Sequence, residues 1–120
     1  MTRITLPYPP PISACFTNAR GKGRVATPRY KAWTEESLWS LKAQKPRQFA
    51  GEVSIYVGLV APDKRIRDAG NCDKAIMDVL VKAGVIKDDS NRYVKRVTYE
   101  WRPEGEPCVV LINDFEGAVS

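Results

Sequence analysis

Acidic and basic side chains are crowded into one stretch of the chain, from Lys64 to Ser90. The stretch reads KRIRDAGNCDKAIMDVLVKAGVIKDDS, so that a basic run precedes Asp68 and the pair Asp88-Asp89 stands near its end. Carboxylate oxygens are the ligands that hard divalent cations prefer, and nearby cations bind phosphate. The pattern therefore suggests a metal site that faces phosphate.

An α-helix is predicted in the middle of this stretch. Gly70-Asn71 marks a turn, with Asn71 as the expected N-cap and Gly84 as a natural C-cap. Apolar residues recur at helical spacing at Cys72, Ile76, Val79, Leu80 and Ala83. A separate polar face carries Asn71, Lys74 and Asp78. That face has two explanations, a functional surface or ordinary solvent-facing helix with a weak Lys74–Asp78 pair.

Histidine is absent from the sequence, and Cys15, Cys72 and Cys108 are scattered without CxxC spacing. A zinc site of the usual kind and a His-dependent catalytic triad are thereby excluded. We interpret the three cysteines as small apolar fillers of the core. Any catalysis would have to use carboxylates, lysine or a hard metal.

The 120 residues carry 19 Lys+Arg against 14 Asp+Glu, a formal charge of +5. The length predicts a single domain over residues 1–120. The charge favours a polyanionic partner, although a soluble protein that is merely basic fits it as well. No apolar run approaches the roughly 20 residues of a membrane span, and no signal-peptide segment is found, so we expect no membrane association and a cytoplasmic location.

The N-terminal part of the chain is predicted to form a strand, a loop and a helix, in that order. Residues 2–7 read as a strand that stops at prolines, and residues 12–26 as a mobile loop. The loop includes NARGKGR, whose cations are Arg20, Lys22 and Arg24. Thr27-Pro28 is a good helix start, and the apolar stripe that follows ends at Lys45-Pro46.

Three strands complete the predicted fold. Residues 51–61 alternate apolar and polar side chains, residues 93–101 do the same, and residues 108–112 form an apolar strand pairing back as a hairpin with the strand before it. Residues from Asn113 onward are expected to be a short tail. The order β-α-β-α-β-β predicts an α/β (α+β) fold, a small mixed sheet of about four strands flanked by two main helices.

This layout separates the acidic residues. Asp68 precedes the predicted second helix and Asp88-Asp89 follows it, so one helix length, about 20 Å, lies between them. Within one subunit, a shared metal site would need a particular path for the loop after the helix.

The run R-D-x-G-N-x-x-K-A-x-x-D-x-L-x-K-A-G-V-x-x-D-D-S, from Arg67 to Ser90, resembles the RusA family of Holliday-junction endonucleases. The opening T-L-P-Y-P-P, from Thr5 to Pro10, is similar to the L-P-x-P-P start of that family, and the resemblance covers nearly the whole chain. It implies a homodimer that binds four-way DNA junctions and nicks two opposed strands, with Mg²⁺, or Mn²⁺ as a substitute, held by aspartates. By motif position, Asp68 and Asp89 match catalytic metal-binding aspartates and Lys74 matches the catalytic lysine.

One position departs from the family pattern. The usual D-x-D-N reads Asp68-Ala69-Gly70-Asn71 here, so the second aspartate is missing. Asp73, one helical turn further on, could offer a carboxylate near the vacated place. The other explanation of Asp73 is a favourable interaction with the helix dipole alone.

The remaining charged residues complete the hypothesis. Backbone contacts to DNA are expected from six cations: Arg20, Lys22, Arg24, Lys64, Arg65 and Arg67. Supporting roles near the site are expected for Asn71, Asp78 and Asp88. Two other readings stay open, a junction-binding protein whose cleavage is impaired by Gly70, and a basic structural domain whose acids are only surface.

Overall fold

The computed structural model describes residues 1–116, which form a mixed α+β fold. The strands are β1 Thr2–Leu6, β2 Phe16–Ala19, β3 Gly23–Ala26, β4 Val53–Leu59, β5 Val94–Trp101 and β6 Cys108–Asp114. The helices are α1 Ile12–Cys15, α2 Pro28–Gln44 and α3 Asp73–Lys82, with a 3₁₀ turn at Ala69–Cys72. The predicted fold class is confirmed, with a four-stranded mixed sheet and the two main helices α2 and α3.

The sheet has the order β1-β6-β4-β5. Strand β6 runs antiparallel to both β1 and β4, whereas β5 runs parallel to β4. The predicted hairpin between the last two strands was therefore wrong. Strand β6 begins with Cys108, Val109 and Val110, all buried, and a strand that is apolar on both faces belongs in the middle of a sheet. Strand β5 is largely exposed and takes the edge.

The segment from residue 12 to residue 26, predicted as a mobile loop, is instead a short helix followed by a hairpin. Strands β2 and β3 pair antiparallel, from Phe16 opposite Ala26 to Ala19 opposite Gly23. Gly21 and Gly23 have φ of 75° and 69°, values that glycine adopts without strain in a tight turn. The strands are only four residues long and contain no fully buried residue, so their alternation was too weak to identify from the sequence.

Helix α2 begins and ends where the sequence predicted. The Thr27 hydroxyl accepts a hydrogen bond from the Tyr30 backbone N–H at 3.1 Å, and Lys45 closes the helix in a left-handed conformation with φ of 51°. Tyr30, Trp33 and Leu41 are buried, which confirms the predicted apolar stripe.

Helix α3 begins differently from the prediction. A 3₁₀ turn precedes it, and the Asp68 side chain caps that turn by accepting from the Gly70 backbone N–H at 3.0 Å. Cys72 stands at the N-cap of α3 and makes no side-chain capping bond. The expected N-cap role of Asn71 was therefore wrong, because Asn71 lies inside the 3₁₀ turn that Asp68 caps and α3 begins only after Cys72.

The C-terminal strand continues past the predicted boundary. Asn113 and Asp114 belong to β6, where Asp114 accepts hydrogen bonds from Arg47 at 2.9 and 3.2 Å. Residues 115 and 116 of the predicted tail follow the strand without regular structure, and residues 117–120 lie outside the described residues. Cys15, Cys72 and Cys108 are all buried free thiols, as predicted. Within residues 1–116, no helix is long and apolar enough to cross a membrane.

Candidate active site

Asp68 lies at the rim of an open cleft of about 440 Å³. The cleft is lined by Tyr8, Pro11, Ser13, Ile66, Arg67, Asp68, Asn71 and Cys72. The proline-rich N-terminal segment thus packs against the turn that carries Asp68, and the Cys72 thiol lies 3.8 Å from the Pro9 carbonyl oxygen. Two sequence motifs some 60 residues apart form one site.

A basic wall borders this cleft. Asp63 accepts hydrogen bonds from Arg65 at 3.2 Å and from Arg67 at 2.7 Å. The Arg65 backbone N–H, followed by the Arg67 guanidinium, holds the pKa of Asp63 below its usual range. The Arg67 side chain is only 20% exposed, whereas that of Arg65 is 78% exposed. Arg65 and the exposed Lys64 are therefore more available to a ligand than Arg67, which itself lines the cleft.

Asp73 is held by strand β5. The Tyr99 hydroxyl donates a hydrogen bond to Asp73 Oδ1, which orients that carboxylate toward the sheet. Burial, followed by the neighbouring Asp73 carboxylate, raises the pKa of Tyr99, so the hydroxyl keeps its proton at neutral pH. Asp73 lies in the first turn of α3, as predicted.

Lys74 belongs to a chain of three polar side chains between α2 and α3. Its Nζ donates to Asp78 Oδ1 at 3.1 Å, and the Tyr30 hydroxyl donates to Asp78 Oδ2 at 2.9 Å. Burial, followed by the Asp78 carboxylate, raises the pKa of Tyr30. Asp78 is thus held by a buried tyrosine and contacts the lysine that lies one helical turn before it.

Asp88 and Asp89 lie in the exposed loop before β5. Hydrogen bonds from the Ser90 hydroxyl and from the Asp89 backbone N–H lower the pKa of Asp88, as expected for a turn carboxylate. This loop leads into the amino end of β5, whereas Tyr99, the partner of Asp73, is near its carboxyl end. The Asp88-Asp89 loop and Asp73 are thus at opposite ends of the edge strand. Among the described residues, no three acidic or sulfur side chains gather closely enough to hold a metal.

The β2–β3 hairpin presents Arg24 next to the Asp68 cleft. Arg20, Lys22 and Arg24 are all exposed, and the Arg24 guanidinium lies 4.0 Å from the centroid of the Phe16 ring. A small groove containing Arg24 shares Ser13 with the Asp68 cleft. The hairpin therefore extends the basic surface beside the acidic site.

Three tyrosines that contact the site were not identified from the sequence. Tyr8 lines the Asp68 cleft, Tyr30 anchors Asp78, and Tyr99 anchors Asp73. Tyr8 stands inside the T-L-P-Y-P-P motif, which was a usable signal. Tyr30 and Tyr99 stand in apolar stripes, where a tyrosine ring reads as core and nothing indicates the partner of its hydroxyl.

Comparison with known proteins gives a consistent set of relatives. The family model described as Endodeoxyribonuclease RusA matches residues 7–112. A crossover junction endodeoxyribonuclease RusA from Aquifex aeolicus is 29% identical over 109 residues, which cover 90% of this chain and 86% of the relative. The protein of the same name from Escherichia coli K12 is 34% identical over 88 residues, 72% of each chain. One from Enterobacteria phage 82 is 32% identical over 88 residues, also 72% of each chain.

Proposed function

The chain belongs to the RusA family of endodeoxyribonucleases, and from this premise we propose that it resolves four-way DNA junctions by paired, divalent-metal-dependent nicks. The observation that carries the proposal is the single cleft in which the N-terminal proline motif meets Asp68 beside exposed cations. A single domain over residues 1–120 and a cytoplasmic location stay predictions from the sequence.

The proposed ligands are the carboxylates of Asp68, Asp73 and Asp89, whose hard oxygen donors suit Mg²⁺ or Mn²⁺. Asp68 has one oxygen engaged by Gly70, and Asp73 has one engaged by Tyr99, so one hydrogen bond orients each of these two carboxylates. A bound divalent cation would supply charge neutralisation at the phosphate and acidification of water. The three carboxylates have the right chemistry for a divalent cation, but one chain does not bring them together, because Asp89 lies at the far end of β5.

We propose that a second copy supplies the distant carboxylate. Strand β5 pairs with β4 on one side only and forms an edge of the sheet. If two β5 edges paired antiparallel about a two-fold axis, the amino end of one strand would lie beside the carboxyl end of the other. Asp89 of each subunit would then approach Asp68 and Asp73 of its partner. A homodimer of this kind contains two equivalent sites, one for each strand that is cut.

The other residues of the site bind and orient DNA in this proposal. Lys74, held by Asp78, places a positive charge where negative charge develops on the phosphate during cleavage. Lys64 and Arg65 contact the flanking backbone beside the Asp68 cleft, and the hairpin cations extend that contact surface. Such contacts carry no base information, so junction choice would come from DNA shape.

Mixing inactive variants tests this proposal. Asp68→Asn keeps an oxygen for the Gly70 N–H, so the variant should fold but should not nick a synthetic four-way junction in Mg²⁺. The same loss is expected for Asp89→Asn. After the two variants are mixed and re-paired, half of the dimers are mixed and each contains one intact composite site. Single-strand nicking should therefore return to about a quarter of wild type.

The control mixture pairs Asp68→Asn with Asp73→Asn, in which both changes affect the same side of the site, so activity should stay lost. Recovery in neither mixture, with an active wild type, would place each site within one subunit. Nicking unaffected by Asp89→Asn would remove that residue from the site.

A junction-binding protein with impaired cleavage is the alternative, and Gly70 in the usual place of an aspartate favours it. Tight, shape-selective junction binding by wild type without any nicking would support this alternative. Absence of junction preference over duplex DNA would instead support a basic structural domain.

A further inference from the structure

A groove of about 390 Å³ lies against helix α2, and the proposed cleavage site does not use it. Its wall includes Tyr30, Leu38 and the indole of Trp39, which is 66% exposed. A large aromatic ring open to solvent beside an apolar groove is typical of a ligand-binding surface.

The charges around the groove indicate what that ligand is. Lys31, Lys42 and Lys82 line it, against the single carboxylate of Glu35. The Lys42 ammonium lies 5.5 Å from the centroid of the Trp39 ring. An aromatic face next to cations complements a nucleotide, because the base can stack on the ring while the phosphate pairs with the ammonium groups.

The groove shares Tyr30 with the polar contacts that hold Lys74. Tyr30 is one of its lining residues, and the Tyr30 hydroxyl donates to Asp78, the partner of Lys74. Lys74 and Lys82 are separated by eight residues of α3, about 12 Å along the helix axis. That distance matches about three to four steps of a DNA strand at about 3.4 Å each.

We propose that this groove binds an unpaired nucleotide of the DNA strand near the cut site, with its base stacked on Trp39 and its phosphate held by Lys42 and Lys82. This inference rests on the proposed function, since it assigns the groove to the same DNA. An unpaired nucleotide exposes the base face that the indole needs, and a branch point in DNA is where bases most readily leave the stack.

Tryptophan fluorescence tests the groove without requiring cleavage. In a Trp101→Phe background, the remaining exposed indole is Trp39, because Trp33 is buried. Titration with an oligo-dT strand should quench the emission. Trp39→Ala should weaken oligo-dT binding, measured by anisotropy, by about 5- to 150-fold, and Trp39→Phe should retain most of the affinity because phenylalanine still stacks. Glu35→Gln should tighten binding by removing the one carboxylate of the groove.

Three results would overturn the inference. The first is that Trp39→Ala binds oligo-dT as tightly as wild type. The second is that oligo-dT does not quench the emission of the Trp101→Phe protein. The third is dissociation of the Trp39→Ala protein into monomers during light scattering, which would identify the groove as a subunit contact. Failure of the proposed cleavage function would give a different result: the wild-type protein would show fluorescence quenching by oligo-dT but would not nick junctions.

Discussion

Gly70 determines how far the site departs from its family. A Cβ built on Gly70 would meet only Asp68 Oδ1, at 3.4 Å, which is ordinary contact. The backbone at this position therefore accepts a side chain, and the missing carboxylate is not excluded by space. The departure is chemical, in the charge available to a metal.

Gly70→Asp should therefore fold and bind a divalent cation more tightly, because ligand charge raises affinity for hard cations. We expect half-maximal nicking at a Mg²⁺ concentration about tenfold lower than in wild type. Gly70→Asn, which has the same shape without the charge, is the matched control. Equal Mg²⁺ dependence in the two variants would contradict the expectation.

Asp78 is expected to act as a positioning residue for Lys74. Asp78→Asn removes the charge that holds the ammonium and keeps the shape, so kcat should fall about tenfold through misplacement of the lysine. Junction affinity should stay within about twofold, because no phosphate contact is assigned to Asp78. Tyr30→Phe should show a weaker effect of the same kind. Parallel loss of affinity and kcat, or an altered circular dichroism spectrum, would indicate a structural role instead.

At the scale of elements, the left-handed residue at the end of α2 is a site of strain. Lys45 has φ of 51°, a conformation that only glycine adopts without steric cost. Lys45→Gly should raise the free energy of unfolding by about 0.5–1 kcal/mol in urea denaturation. Lys45→Ala keeps the Cβ and should give no such gain. A stability gain in the alanine variant would mean that the lysine charge, not the backbone, is responsible.

The elements with strong periodicity were the ones that the sequence predicted correctly. Helix α2 has a capping threonine, a proline at its first position and a buried stripe, and each of these signals is local. The pairing of β6 was mispredicted because strand order depends on which faces the whole sheet buries. The β2–β3 hairpin was missed because strands of four residues without a fully buried position give too short an alternation to recognise.

For the candidate site as well, local features could be predicted from the sequence and contacts between distant elements could not. Asp68 and Lys74 were assigned from the family resemblance, which rests on one continuous turn-and-helix segment, where neighbours in sequence are neighbours in space. The partners Tyr30 and Tyr99 come from other elements, 48 and 26 residues away from the aspartates that they hold. Only the packing of α2 and of β5 against α3 and the turn before it brings them there.

At the scale of the whole molecule, buried acidic protons make the fold sensitive to alkali. Burial, followed by Cys72, raises the pKa of Cys108 from 9.0 to about 12. The folded state then keeps the Cys108 thiol proton that the unfolded chain releases. The contribution of this thiol to the free energy of unfolding is therefore fully present below pH 9 and is lost as the pH rises to about 12. One such group contributes a slope of up to about 1.4 kcal/mol per pH unit.

Urea denaturation between pH 8 and pH 11 measures this slope. Burial also raises the pKa of Tyr30, Tyr99 and Cys72, so the wild type should lose stability steeply. Cys108→Val, which fills the same apolar site without a thiol, should lose stability less steeply. Identical slopes in the two proteins would exclude Cys108 as a source of the effect.

The length of the edge strand has a consequence for the timing of two cuts. Strand β5 spans eight residues, about 26 Å at about 3.3 Å each. In the proposed dimer, the length of this strand sets the distance between the two composite sites. A rigid sheet edge would hold both scissile phosphates at the same time, so the second strand would already be in position when the first is cut.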